Sequence, residues 1–507
     1  MDRREFLGGV SVAGLSMSLP ADILAADMPA DITDLSASDL SAAIRQRHVT
    51  CVEVMQAYLD RIDRYNPVYN AIVSRADSDD LIRQAELADR ALDNDEYWGW
   101  MHGMPLAIKD DADVEGFPTS HGSPIFAGTV AESDSLVVSR MRSQGPIFIG
   151  KTNLPEFGMG SQSYNPVHGI TGSAWNPELT AGGSSGGTAC GLGTRMLPVG
   201  NGGDLMGSLR NPGAFNNVVG FRPTQGRIPD SGGGDLFYQQ MGTDGPMGRN
   251  AEDTYRLLVD MSGWDYREPL TLRDVLPAAS ALKAPNLQGL KIGWMGDFEG
   301  YLPMEAGVID VCEAALQNVS GAGGIVEPCQ PDYDMDRLWQ TWLTLRHWTR
   351  HAMRPLYDNP ETRALLKPEA IWEIEGAFGI SAEQIFHAGV ARAEWYDEVH
   401  RLLGEYDFLI IPTAQVFPFD KTVHWPKEVN GVEMDTYHRW MEVVIGGSLA
   451  GVPVANIAAG FDEQGRPMGM QVLGPYGEDR RVLEFAMAYE AVTDYLDQRP
   501  EMVAATA

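Results

Sequence analysis

The sequence predicts a mixed α/β fold in which a central mixed β-sheet is sandwiched between α-helical layers. Three observations carry this expectation. Amphipathic helical segments alternate with short apolar runs along nearly the whole chain, the pattern of a sheet covered by helices. The 507 residues hold no repeat of fixed period, no low-complexity tract and no Ser/Pro-rich linker, so residues 33–495 read as one domain. With 44% hydrophobic and 9% aromatic residues, the chain has the apolar surface for a large core.

The elements follow in order. From residue 34, "DLSASDLSAAIRQRHVTCVEVMQAYLDRIDRYN" predicts two amphipathic helices broken around His48 and Thr50. Leu40, Ala43 and Ile44, then Val52, Met55, Tyr58, Leu59 and Ile62, recur there at helical spacing. "MPLAIKDDADV" predicts a strand running into a loop, and "GPIFIGKTNL" a second strand after the helix "SLVVSRMRSQ". Further strands are expected at "NLQGLKIGWM", "YDFLIIPTA", "VPVANIAAGF" and "GMQVLGPY", the last two joined by the turn "DEQGRP". "AEDTYRLLVDMS", "DVCEAALQNV" and "VLEFAMAYEAV" supply helices between them. Residues 335–400 are predicted mostly helical and carry Trp339, Trp342, Trp348 and Trp372; a cap over a pocket and an outer packing layer both fit.

The N-terminus predicts export. Arg3 and Arg4 precede an apolar, glycine-containing run from Phe6 to about Leu19, too short for the roughly 20 residues of a membrane span. Small residues follow, so residues 1–26 read as a twin-arginine-type signal cleaved after Ala26, leaving no stable membrane anchor and a protein of the periplasm. Cleavage removes two positive and three negative charges and takes the net charge from −32 to −31. So acidic a surface argues against nucleic acid or anionic membrane as a partner, because phosphate recognition needs a positive field. A twin-arginine passenger folds before export, so Cys51, Cys190, Cys312 and Cys329 read as buried thiols. His347 and His351 have the spacing of metal ligands but no third ligand nearby, and no metal or other cofactor is expected.

The chemistry concentrates in glycine-rich stretches. Residues 181–190 read "AGGSSGGTAC", and such a run marks backbone held where other residues resist going. Residues 182–186 match the nucleophile elbow G-x-S-x-G, but that motif needs a strand directly before it, and "NPELTA" reads as a turn. Downstream, "NGGDLMGSLRNPGAFNNVVGFRPTQG" puts Gly207 and Ser208 on a second turn whose clustered N–H groups suit an oxyanion. Lys109 lies in the apolar strand "PLAIK", where an unpaired charge is costly.

The order Lys109, Ser184, Ser208 and the wording around it resemble the amidase signature family, from about residue 35 to 490. The likeness is densest in "HGMPLAIKDD", "GKTNLPEFGMGSQS", "NPVHGITGSAWNPELTAGGSSGG", "GDLMGSLRNP" and "NNVVGFRPTQGRIP", which follow one another as in that family. Ser184 and Ser208 stand 24 positions apart, a gap that looks like the family's own. The resemblance implies a Ser–cis-Ser–Lys triad: Ser208 as nucleophile, Ser184 as proton relay and Lys109 as base. To accept a proton Lys109 must be neutral, and burial in an apolar strand favours that form. The backbone N–H groups of Leu205, Met206, Gly207 and Ser208 are the expected oxyanion donors. Gly183, Ser185, Asp204 and Arg210 are supporting residues, the last two as a pair holding the turn. Leu205 and Met206 depart from the Thr and Gly commonest in the family, which narrows the space around the nucleophile.

The implied function is an exported amidase acting on a small or cyclic carboxamide, with a homodimer left open. An aryl-acylamide or ester hydrolase could use the same triad. A glutaminase-type amidotransferase subunit fits the motifs but not the export signal or the charge. A binding protein with a dead site would have no reason to keep all three residues.

Overall fold

The computed structural model describes residues 28–229, 235–238 and 240–504. The export signal read in residues 1–26 lies outside them.

Both N-terminal helices form, at Ala37–Arg45 and Cys51–Tyr69, and the break between them has a local cause. Thr50 caps the second helix, its side chain accepting from the Glu53 N–H while the Glu53 carboxylate accepts from the Thr50 N–H, a capping box. The apolar runs predicted as strands become Lys291–Trp294, Phe408–Pro412, Val454–Phe461 and Pro467–Leu473. They lie in an eight-stranded mixed sheet with Ile325–Pro328 at one edge. Ile325–Pro328, Lys291–Trp294 and Phe408–Pro412 run parallel, and the remaining neighbours antiparallel, to Val199–Asp204 at the far edge. Helices such as Ala251–Met261, Val308–Gly321 and Asp479–Glu490 pack on it, giving the expected helix-covered sheet.

Two features differ from the sequence reading. Pro105–Lys109 and Ile147–Thr152 do not enter this sheet; they pair in parallel in a separate three-stranded sheet with Ile72–Val73. That small sheet meets the edge strand Val199–Asp204 through a side chain, the Asn201 Oδ1 accepting the Lys109 backbone N–H at 3.1 Å. Second, the glycine-rich stretches "VGNGGD" and "TDGPMG" are strands, at Val199–Asp204 and Thr243–Gly248, paired residue by residue. Their glycines mark close packing. A Cβ on Gly200 would stand 2.5 Å from Thr188 Cγ2, and one on Gly202 2.3 Å from Ser185 Oγ. The short helix Gly186–Gly193 therefore lies directly on the edge strand. On its other side, a Cβ at Gly187 would meet the backbone N of Asn153 at 2.3 Å.

The helical region expected at 335–400 comprises mainly Met335–Arg350, Pro368–Gly376 and Ala382–Glu405. Trp339 and Trp342 are fully buried in the main core, whereas Trp372 is partly exposed. Leu366, Ala370 and Ile374 form a second apolar cluster with Met159, and Phe157 packs against it. This part of the helical region thus rests on the loop after strand Ile147–Thr152. All four cysteines are free and buried, and burial pushes their thiols up, that of Cys329 to about 11.

A buried ionic knot fastens the edge strand. Asp204 and Arg210 are both buried and pair bidentately at 2.9 Å, with the Arg222 guanidinium 3.6 Å from the same carboxylate. Arg210 also donates to the Val444 carbonyl at 2.9 Å and the Ser448 hydroxyl at 2.8 Å, joining strand to helical layer. Burial alone would raise the Asp204 pKa, but the two guanidiniums and the Leu209 N–H hold it well below the usual carboxylate range. Because the folded-state value is depressed, this stabilisation is present above the unfolded value of about 4 and fades as acid protonates the group.

Two stability measurements follow. Asp204→Asn leaves buried guanidiniums without their anion and should cost about 3–5 kcal/mol in urea unfolding at pH 7. The cost should shrink toward low pH; a variant as stable as wild type at neutral pH would contradict the knot. Gly187→Ala forces a methyl into backbone and should cost about 1–3 kcal/mol by the same assay, with an unshifted midpoint contradicting the packing described.

Candidate active site

The small sheet and the glycine run meet at one hydrogen bond. Lys109 ends the fully buried strand Pro105–Lys109, is itself 2% exposed, and places Nζ 2.8 Å from Ser184 Oγ. The predicted apolar setting holds for the stem of this lysine but not for its tip. Nζ also lies 3.0 Å from the Asp111 carboxylate, a partner that strand burial alone did not suggest.

Ser184 is 3% exposed and follows a cis peptide bond from Gly183. The turn before it is clamped by two serines of the "GSQS" stretch. Ser161 Oγ donates to the Gly183 carbonyl at 2.8 Å and accepts the Gly183 N–H at 3.1 Å. Ser163 Oγ donates to the Gly182 carbonyl at 2.8 Å. Neither serine was singled out by sequence reasoning; both lie in a quoted motif, and only the fold shows what they hold. No strand runs into the glycine run, and Gly186–Gly193 starts just after Ser185, so the elbow geometry is not met.

Ser208 comes from the turn that leaves the edge strand. The Ser185 N–H donates to the Ser208 carbonyl at 3.1 Å, which binds the two serine-bearing turns to each other. Asp204 shapes the second turn by accepting the N–H groups of Gly207 at 2.9 Å and Leu209 at 3.2 Å. Gly207 has φ +78°, and a Cβ there would meet Asn211 Oδ1 at 2.6 Å and Val444 at 2.9 Å, so the position requires glycine. One of the four expected oxyanion donors is already engaged. The Gly207 N–H is committed to Asp204, while those of Leu205, Met206 and Ser208 have no hydrogen-bond acceptor among the described residues. Met206 is buried and Leu205 half-buried against the core. At 8%, Ser208 is the most exposed of the three predicted catalytic side chains.

Other candidate bases are engaged elsewhere. His102 is buried, takes the Trp98 N–H on Nδ1 and bonds the Ala88 carbonyl through Nε2, and burial lowers its pKa. His168 lies 3.4 Å from the Asp110 carboxylate and 3.2 Å from Ser120 Oγ. His121 has φ +51° and packs edge-on to Phe126. The second buried lysine of the small sheet, Lys151, donates to the Ala112 carbonyl and to Thr119 Oγ1 at 3.2 Å. His347, on the far helical region, bonds the Glu373 carbonyl at 3.0 Å. Of these basic side chains, Lys109 is the one bonded to Ser184. A buried lysine bonded to a serine hydroxyl, beside a second serine and a turn with free N–H groups, can move a proton and hold an oxyanion.

Comparison with known proteins agrees. The Amidase family model matches residues 53–483. An acylamidase of Rhodococcus erythropolis is 28% identical over 92% of this chain and 97% of its own length. A glutamyl-tRNA(Gln) amidotransferase subunit from Methylococcus capsulatus is 30% identical over 92% of this chain and 99% of its own. Among solved structures, a bacterial aryl acylamidase of the amidase signature family superposes with TM-score 0.84 at 27% identity, covering 91% of this chain and 98% of that one. The chain belongs to the amidase family and is an enzyme that hydrolyses amide carbon–nitrogen bonds.

Proposed function

We propose that this protein is an exported amidase that cleaves a small or cyclic carboxamide to carboxylate and ammonia or amine, using Ser208, Ser184 and Lys109. The observation that supports this most is the 2.8 Å contact of Lys109 Nζ with Ser184 Oγ, on a turn tied to Ser208. In this reading the Ser208 hydroxyl passes its proton to Ser184 Oγ as its own oxygen attacks the amide carbonyl. Ser184 gives its proton to Lys109, which becomes an ammonium. The carbonyl oxygen, now an anion, is held by the N–H groups of Leu205, Met206 and Ser208. The proton returns through Ser184 to the leaving nitrogen, the C–N bond breaks, and water hydrolyses the acyl-Ser208 ester by the same route. No metal or cofactor enters any step.

A second reading, an aryl-acylamide hydrolase, is favoured by the walls near Ser184. Phe157 precedes Gly158, whose added Cβ would stand 3.5 Å from Ser184 Oγ, and its ring meets Phe126 edge-on at 6.2 Å. An aromatic amine leaving group would suit such a lining. The amidotransferase role is disfavoured, since a chain of net charge −32 repels tRNA. We assign the mature protein to the periplasm on the strength of Arg3 and Arg4, with no nucleic acid or membrane partner.

Ser208→Ala and Lys109→Ala should each lower kcat/KM by several orders of magnitude while circular dichroism stays unchanged. A Lys109→Ala variant that kept most of its activity, together with loss on replacing His121 or His168, would overturn the lysine assignment. Ammonia release from primary amides, run beside amine release from anilides, decides between the two substrate readings. Changing both Arg3 and Arg4 to Lys should leave the full-length protein folded in the cytoplasm; normal periplasmic recovery would contradict export by this signal.

A further inference from the structure

We infer that Asp111 is a positioning residue for the lysine base: its carboxylate holds Lys109 Nζ on Ser184 and steadies the ammonium formed during acylation. The inference rests on the reading of Lys109 as base.

The argument starts from the donor inventory of an amine. A neutral lysine has two N–H groups and one lone pair at the end of a four-carbon stem with several rotamers. To take a proton from Ser184, the lone pair must point at that hydroxyl. Asp111 Oδ2 lies 3.0 Å from Nζ as a charge contact, and its pull on the polar end of the stem favours the rotamer that reaches Ser184. When the proton arrives, the ammonium donates an N–H back to Ser184 Oγ at 2.8 Å, ready for return, with the Asp111 carboxylate 3.0 Å away to balance its charge. An aspartate beside a catalytic histidine performs the same two tasks, orientation and stabilisation of the cation.

The surroundings leave this task to Asp111. From the edge strand, Gly203 presents no side chain: its Cβ position lies 4.0 Å from Nζ and 3.2 Å from Asp244 Oδ1, which places a second carboxylate on that side of the amine. Asp110, on the same segment as Lys109, turns to Ser120 and His168. Lys151, which burial holds below the usual lysine value against the opposing pull of Asp110, Asp111 and Asp113, bonds Ala112 and Thr119 instead of the serines. Asp111 itself is 35% exposed, so water screens its charge and the expected effect is moderate.

Two variants separate orientation from charge. Asn at 111 keeps the shape and polarity of the side chain but not its charge; Ala keeps neither. On a purified, folded enzyme assayed with an amide it turns over, Asp111→Asn should move the acid-side half-maximum of kcat/KM down by about one pH unit. Its alkaline plateau should fall by less than about tenfold, because a less stabilised cation means a weaker base. Asp111→Ala should lower that plateau by about tenfold to thirtyfold, more than Asp111→Asn does, with KM nearly unchanged, since nothing then draws the amine toward Ser184. Asp113→Asn, a charge change on the same loop without contact to Lys109, should leave the profile in place. Superimposable profiles for Asp111→Asn, Asp111→Ala and wild type would overturn the inference, as would an equal shift from Asp113→Asn. Full activity in Lys109→Ala is a different outcome and would instead remove the base assignment beneath it.

Discussion

Lys109 Nζ and Ser184 Oγ meet at 2.8 Å between side chains that are 2% and 3% exposed, and the rest of the molecule is arranged so that they can. The lysine belongs to a small three-stranded sheet, the serine to a turn after residue 180, and neither element positions the other by local sequence. Three contacts bring them together. Asn201 locks the end of the lysine strand to the edge of the large sheet. Ser161 and Ser163 grip the glycines before Ser184. The helix Gly186–Gly193 is pressed between the edge strand and the segment around Asn153, which fixes where the turn ends. Each contact relies on a glycine or a small polar side chain, because anything larger would separate the elements by an ångström or more. A displacement of that size breaks a hydrogen bond on which proton transfer depends.

The nucleophile half is held by a different force. Asp204 is buried between two guanidiniums and spends its remaining lone pairs on the N–H groups of Gly207 and Leu209. This fixes the turn that presents Ser208 and determines which N–H groups are left over for an anion. The ionic knot thus takes the Gly207 N–H and leaves those of Leu205, Met206 and Ser208 without an acceptor among the described residues. The Ser185 N–H to Ser208 carbonyl bond then joins the two halves with backbone atoms alone.

The sequence made some of this legible and hid the rest for physical reasons. Strands that are continuous or nearly continuous apolar runs, such as Phe408–Pro412 and Val454–Phe461, announce themselves by composition. Val199–Asp204 and Thr243–Gly248 do not, since glycine has no side chain to alternate between faces and reads as a turn. The three catalytic candidates were visible because their motifs keep a fixed order. Asp111 was not, because an acidic run after a strand looks like a solvated loop, and only the chain's return brings its carboxylate back onto Nζ. The involvement of the Gly207 N–H with Asp204 was equally hidden: sequence shows that a turn offers donors, not which acceptor takes them. Residues 335–400 were readable as helix, but their contact with the Met159 cluster is long-range and leaves no local trace.

The central claim is that Ser208 carries the acyl group and that its reactivity comes from Lys109 through Ser184. The most direct measurement is covalent trapping with a serine-directed phosphonate, followed by peptide mass mapping and by the labelling rate. The account predicts one adduct, on Ser208, forming far more slowly in Lys109→Ala and Ser184→Ala. An adduct on Ser184 in place of Ser208, or labelling of Ser208 at the wild-type rate without Lys109, would contradict it.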